Sequence, residues 1–191
     1  MKITYFGHSC NLIEIGNSRI LFDPFITGNE LAGNVNVDDI QTDYILLSHG
    51  HEDHVLDTER IAKNTGAKVI APYETFMWYS QKGLNGHPMN HGGKCTFEFG
   101  TVKMTNAVHS SVLYSHHRFR SIPGVWNLRP PTSAIRVFSI IYSGLPAPFC
   151  FGIRRYCFAN AVGGHSLYSY LVCWLPGSYY LLTLASAVSA E

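Results

Sequence analysis

The chain has 191 residues, a net charge of +1 and only 14% charged side chains, against about 25% in an ordinary soluble domain. One domain, or at most one and a half, fits that length, and the near-zero charge excludes a global field suited to nucleic acid or a membrane surface. The deficit is uneven: residues 1–110 hold 8 Lys/Arg and 12 Asp/Glu, whereas residues 111–191 hold 6 Arg, no Lys, no Asp and one acid, Glu191.

Taken in order, residues 2–6 alternate with Ile3 and Tyr5 on one side, and residues 11–15 alternate again. Gly16-Asn17 is a turn dipeptide, and residues 19–22 form a third short run, so the chain opens as a β-meander. Asp23-Pro24 ends it, because proline cannot continue a ladder. Residues 27–36, rich in Gly and Asn, read as loop. Tyr44-Ile45-Leu46-Leu47 is an unbroken apolar run, the pattern of a strand buried on both faces. Residues 57–64 predict a helix with Asp57 or Thr58 as N-cap and Gly66 just past its end. A strand over 68–71 follows, then a helix over 73–82 closed by Gly83. Residues 96–99 and 101–108 read as a hairpin about Gly100. The order is that of a layered α/β fold, with helices covering a mixed sheet.

Five cysteines at irregular spacing, with no Cys-x-x-Cys pair, make no disulfide framework. They read as small buried hydrophobes. No apolar stretch of secretory type opens the chain, so a cytoplasmic, reduced protein is expected.

Chemistry concentrates in Ser48-His49-Gly50-His51-Glu52-Asp53-His54, directly after the buried strand. Loops at the carboxyl ends of sheet strands are where α/β folds place ligands. Gly50 permits a tight bend, so His49 and His51 can converge on one cation, while Asp53 and His54 can face a second. Neutral imidazole and carboxylate at this density suit zinc, iron or manganese. A zinc finger is excluded by the missing cysteine pair, and no helical His-Glu-x-x-His pattern occurs. A catalytic ion needs a further ligand, and His109, after the strand over 101–108, is the candidate. Such an ion lowers the pKa of bound water from 15.7 to about 7, which supplies hydroxide for attack on a carbonyl or phosphoryl centre.

His49-x-His51-x-Asp53-His54 is similar to the metal-binding motif of the metallo-β-lactamase fold superfamily. Tyr5-Phe6-Gly7-His8-Ser9, Leu21-Phe22-Asp23-Pro24, His87-Pro88-Met89-Asn90 and Ala107-Val108-His109-Ser110-Ser111 resemble its bacterial and archaeal metal-dependent hydrolase branch, akin to ascorbate-phosphate lactonases. The resemblance covers residues 1–111. It implies an αββα sandwich, with a dinuclear site in the cleft between the sheets. His49, His51 and His109 would hold the first ion. Asp53 and His54 would belong to the second, with Asp53 also the candidate catalytic side chain. Asp23 would orient a ligand or a loop, or simply form a turn; His8 would lie near the cleft mouth, or be a packed histidine. The implied reaction is hydrolysis of an ester, lactone or phosphoester of a small-molecule substrate, with no nucleic acid and no membrane as partner.

The resemblance also implies a bridging Asp in a Gly-Asp-Thr type turn and a late His. No Asp follows residue 110, and His116, His117 and His165 sit in no matching context. For residues 112–191 three readings stand: a shifted reading frame, a divergent folded half with an incomplete site, or a membrane-seeking tail over 167–190. A chain without the bridging carboxylate is expected to hold one ion or none and to be a catalytically impaired metal-binding remnant. The basic run His116-His117-Arg118-Phe119-Arg120 offers a weaker, nucleic-acid alternative.

Overall fold

The computed structural model describes residues 1–107, 109–113, 119–120, 123–131, 136–142, 166–175 and 178–187. Strands β1 (Lys2–Gly7), β2 (Cys10–Ile15) and β3 (Ser18–Phe22) form the expected antiparallel meander, with Ile3 opposite Ile13 and Leu12 opposite Leu21. Strands β4 (Tyr44–Leu46), β5 (Lys68–Pro72) and β6 (Gly86–Met89) extend the sheet in parallel from β3. A strand order of β1-β2-β3-β4-β5-β6 has a directional consequence. Two antiparallel steps give β1 the same direction as β3, and β4 is parallel to β3. The carboxyl ends of β1, β3 and β4 therefore share one edge, and His8, Asp23 and Ser48-His49 follow those three ends.

Helix α1 (Glu52–Val55) lies inside the histidine motif, which the sequence reads as a loop. Helix α2 (Thr58–Thr65) ends as predicted at Gly66, whose φ of 74° gives the left-handed cap. Asp57 occupies its N-cap position but makes no cap bond, because its carboxylate is used elsewhere. Helix α3 (Tyr73–Ser80) stops two residues short of the expected 82. Residues 27–36 contain a single-turn 3-10 helix, Glu30–Ala32, capped by the Asn29 carboxamide oxygen accepting from Leu31 N–H at 3.1 Å. Strand β6 escaped the sequence reading because it contains Pro88; as the edge strand it tolerates the missing N–H.

A second sheet is built from β7 (Lys94–Phe97), β8 (Gly100–Asn106), β11 (Gly124–Arg129), β12 (Arg136–Tyr142), β13 (Ser166–Leu175) and β14 (Ser178–Ala187), in the order β13-β14-β12-β11-β8-β7. Its pairings are antiparallel. A small pair, β9 (Val112–Leu113) and β10 (Phe119–Arg120), stands apart. Pairing runs across residue 111: six registered positions join β8 to β11, from Gly124 opposite Asn106 to Arg129 opposite Thr101.

Strand alternation divides the core in two. Leu21, Ile45, Leu47, Val69 and Ala71 face the helices and pack with Val55, Ile61, Ala62 and Tyr79. Ile20, Phe22, Tyr44, Leu46 and Ile70 face the second sheet and pack with Phe99, Val102, Met104, Trp126 and Leu128. The strand at 44–46 is thus buried on both faces, as its unbroken apolar run predicts. The architecture is an α/β sandwich with helices outside the first sheet and the second sheet against its inner face. Among the described residues no helix covers the outer face of the second sheet. Among them, too, no helix is long and apolar enough to cross a membrane.

Candidate metal centre

The shared strand edge brings the predicted residues together in two adjoining groups. His49, His51 and His109 form one, with ligand atoms within 4.8 Å of one another. His8, Asp53 and His54 form the other under the same limit. In the first, His51 Nδ1 lies 3.0 Å from His49 Nε2 and 3.2 Å from His109 Nε2. In the second, Asp53 Oδ2 lies 3.1 Å from His8 Nε2 and 3.9 Å from His54 Nε2. The rings of His49 and His54 touch, centroids 4.1 Å apart, so the groups share a wall.

Asp23 sets the orientation of both groups. It is fully buried, and its backbone holds a left-handed φ of 41°. Oδ1 accepts the Ser48 N–H at 2.7 Å; Oδ2 accepts the Ser48 hydroxyl at 2.6 Å and pairs with His54 Nδ1 at 3.1 Å. The Ser48 hydroxyl has one proton and gives it to Asp23. Its oxygen, 3.0 Å from His49 Nδ1, therefore accepts from that ring. Both imidazoles are thereby fixed as the Nδ1–H tautomer, with Nε2 lone pairs turned into the cleft. A carboxylate behind a histidine is the usual way of orienting a metal ligand. Here one carboxylate serves two, the second through Ser48.

Local backbone chemistry supports the rest. Gly7, at φ 101°, backs onto the Leu31 side chain, and His8 follows at φ 53°. That left-handed turn lifts the imidazole off the end of β1 toward Asp53. Gly50 packs with no side chain against Leu113, where an added Cβ would come within 2.7 Å of Cγ. Its N–H donates to Ser111 Oγ at 3.0 Å, and Ser110 Oγ lies 3.5 Å from His51 Nε2. The serines after His109 thus fasten the second sheet's contribution to the motif loop. Gly124 N–H adds a bond to Ser48 O at 2.9 Å.

Sequence reasoning named His49, His51, Asp53, His54 and His109, and the structure brings all five together. It left His8 between the cleft mouth and ordinary packing; the structure places its ring beside Asp53 and His54. It missed Ser48, Ser110 and Ser111 as orienting groups, although all three stand inside the quoted motifs. His91 reaches Pro123 O at 2.7 Å and belongs to neither group. Cys10 is buried at the start of β2, and burial pushes its thiol up to about 12, which makes it inert. His116, His117 and His165 lie outside the described residues.

Electrostatics fit cation ligation. Burial holds the His49 imidazole far below its ordinary value, with further depression from His54, His51 and His109. Burial also lowers His51 and His109. A hydrogen bond from His8 holds the Asp53 carboxyl well below the usual carboxylate range. Near neutral pH His49, His51 and His109 therefore present neutral imidazoles and Asp53 an ionised carboxylate, the protonation states a divalent transition ion requires.

The family profile described as the metallo-beta-lactamase superfamily matches residues 3–140. The chain belongs to that superfamily. It is 53% identical over 111 residues to a UPF0173 metal-dependent hydrolase of Flavobacterium johnsoniae, a match covering 58% of this chain and 49% of the relative. Against YtkL, the UPF0173 metal-dependent hydrolase of Bacillus subtilis, identity is 51% over 113 residues, covering 59% and 49%. The chain thus spans about half the length of the curated relatives it matches. Among solved structures, Igni18, a metallo hydrolase from Ignicoccus hospitalis, superposes with a TM-score of 0.60 at 30% identity, over 69% of this chain and 56% of that one. A mutant of the β-hydroxylase CmlA superposes with a TM-score of 0.52 at 20% identity and shares the fold.

The depressed histidines predict a pH response of the metal-free protein. A group whose folded pKa is lowered contributes stability above its unfolded value, about 6.5 for histidine, and loses it as pH falls. His49, His51 and His109 all act in this direction. The melting temperature of metal-free protein is expected to fall between about pH 7.5 and about pH 5.5. A flat or rising melting temperature over that interval contradicts the buried, neutral state of the cluster.

Proposed function

We propose that the two groups bind divalent cations, zinc first with manganese or iron as alternatives, and serve hydrolysis of an ester, lactone or phosphoester in a small-molecule substrate. The observation that carries this reading is the convergence of three histidine nitrogens about His51, two of the site's imidazoles having their tautomers fixed from behind by Asp23. The donor set fits such an ion, because four imidazoles and one carboxylate besides His8 offer nitrogen and oxygen ligands. A bound ion would polarise the scissile oxygen and lower the pKa of a neighbouring water.

The chain's own residues do the rest. His49 and His54 present fixed lone pairs without reorganisation. His51 is steadied through its outer nitrogen by Ser110. Asp53 is half exposed and firmly ionised, which makes it an acceptor that orients a water rather than a store for its proton. The cysteine pattern supports a reducing, cytoplasmic setting.

A second reading, a metal-binding remnant with little turnover, is favoured by one observation. No Asp follows residue 110 to bridge two ions, and Glu191 is the one later acid. The deciding experiment measures zinc and manganese content of the full chain together with hydrolysis of a generic phosphodiester and a simple lactone. The His51→Ala and His109→Ala variants are expected to lose cation affinity by more than about 10-fold. Turnover that disappears with the ion supports the hydrolase, whereas stoichiometric metal without turnover selects the remnant. Wild-type affinity in both variants overturns the site itself.

A further inference from the structure

Asp57 is a buried carboxylate that the site as described does not use. Oδ2 accepts the N–H groups of Ile26 at 2.7 Å and Thr27 at 2.8 Å, and Oδ1 accepts the Thr27 hydroxyl at 2.6 Å. The Asp57 N–H in turn donates to Pro24 O at 3.1 Å. Four hydrogen bonds thus tie the start of α2 to residues 24–27, a stretch without regular secondary structure. Ile26 is buried, so its N–H requires a partner inside the protein, and the Asp57 carboxylate supplies it. The held segment carries Phe25, whose ring stands edge-on to His8 with centroids 5.5 Å apart. The His8 ring also meets His54, centroids 4.8 Å apart. His8 thus contacts both His54 and a loop that Asp57 fastens.

We propose that Asp57 is a positioning residue for the second donor group, acting through residues 24–27 and Phe25 to hold the His8 imidazole against Asp53. The proposal rests on reading His8, Asp53 and His54 as one donor group. Asp57 touches none of the three ligand atoms, and its effect is on where His8 stands. An amide can replace the carboxylate here. Its oxygen can accept the two N–H groups while its NH2 donates to the Thr27 hydroxyl, which can turn to accept. Alanine can do neither.

The test uses the full chain and two readouts. The first needs no metal: carbethoxylation of individual histidines by diethyl pyrocarbonate, followed by peptide mass spectrometry on metal-free protein. Asp57→Ala is expected to speed modification of His8 several-fold while His49 stays protected, and Asp57→Asn to stay near wild type. Phe25→Ala, which leaves the Asp57 bonds intact, is expected to expose His8 likewise, and it decides the matter if Asp57→Ala does not fold. The second readout is two-site zinc titration: Asp57→Ala and Phe25→Ala weaken the second ion by about 10- to 100-fold and leave the first unchanged. Unchanged His8 reactivity overturns the proposal. So does acceleration of His8 and His49 together, which marks general loosening, and so does an Asn variant as reactive as the Ala variant. Absence of a second ion in wild type overturns the metal reading alone, and His8 reactivity still decides the role of Asp57.

Discussion

Asp23→Asn is expected to weaken cation binding at both groups by about 10- to 100-fold, the usual cost of losing the partner behind a metal-bound histidine. The substitution isolates one property. Asparagine is among the few residues that accept a left-handed backbone, so the φ of 41° survives. What changes is the hydrogen-bond polarity. The carboxylate takes three protons, from Ser48 N–H, Ser48 hydroxyl and His54 Nδ1–H. An amide has one accepting oxygen, and its NH2 must face at least one of those donors. His54 then loses its orienting acceptor, or Ser48 turns its hydroxyl and releases His49. The cost to the metal-free fold is about 1–3 kcal/mol, that of a buried donor left unmade. Ser48→Ala separates the two branches, because it cuts the path to His49 and leaves the bond to His54. It is expected to weaken the first ion selectively. Two-site zinc titration by calorimetry checks both variants, and wild-type affinities in Asp23→Asn would show that Asp23 acts only as a turn former.

Much of this centre is legible in the sequence, for physical reasons that can be named. Four candidate ligands after an apolar strand mark the motif, and the double-sided burial of that strand fixes the edge on which the motif emerges. His109 is readable because the alternation from Val102 to Met104 places a strand directly before it. His8 is harder. Its place depends on β1 running parallel to β3, which follows only once both hairpin steps of the meander are known. Short sequence separation says nothing of that edge. Asp57 shows a different limit. A helix-start aspartate reads as an N-cap, yet this carboxylate turns to a loop thirty residues earlier, because the buried N–H of Ile26 has greater need of it. Ser48, Ser110 and Ser111 look like filler between ligands, since a hydroxyl's role is set by which proton it has already given away. Residues beyond 111 gave the sequence least to work with. Their low charge removes the polar half of the alternation that marks a surface strand, and the registered pairing of β11 with β8 is visible only in three dimensions.

Trp126→Ala is expected to destabilise the protein by about 3–5 kcal/mol, the cost of removing a large aromatic from a closed core. Trp126 is fully buried on β11, registered with Met104 of β8 on one side and Ser139 of β12 on the other. It faces Ile20, Phe22, Leu46 and Ile70 of the first sheet within one apolar cluster. A loss of that size is a large share of the 5–15 kcal/mol that holds a typical domain, so the variant is expected to melt early or fail to fold. The indole N–H meets no acceptor among the described residues, which sharpens the expectation for Trp126→Phe. Phenylalanine leaves a smaller cavity and removes an unsatisfied donor, so it is expected to cost less than about 1.5 kcal/mol. Denaturant melts of the two variants, with midpoint and slope compared, separate packing from polarity. The result bears on the whole low-charge stretch. If residues beyond 111 were a passenger on a self-sufficient first part, Trp126→Ala would leave the melt unchanged. If β11 completes the sandwich, the variant loses the cooperative transition. The metal centre then loses its footing with it, because Gly124 of that strand bonds to Ser48 and Ser48 orients His49.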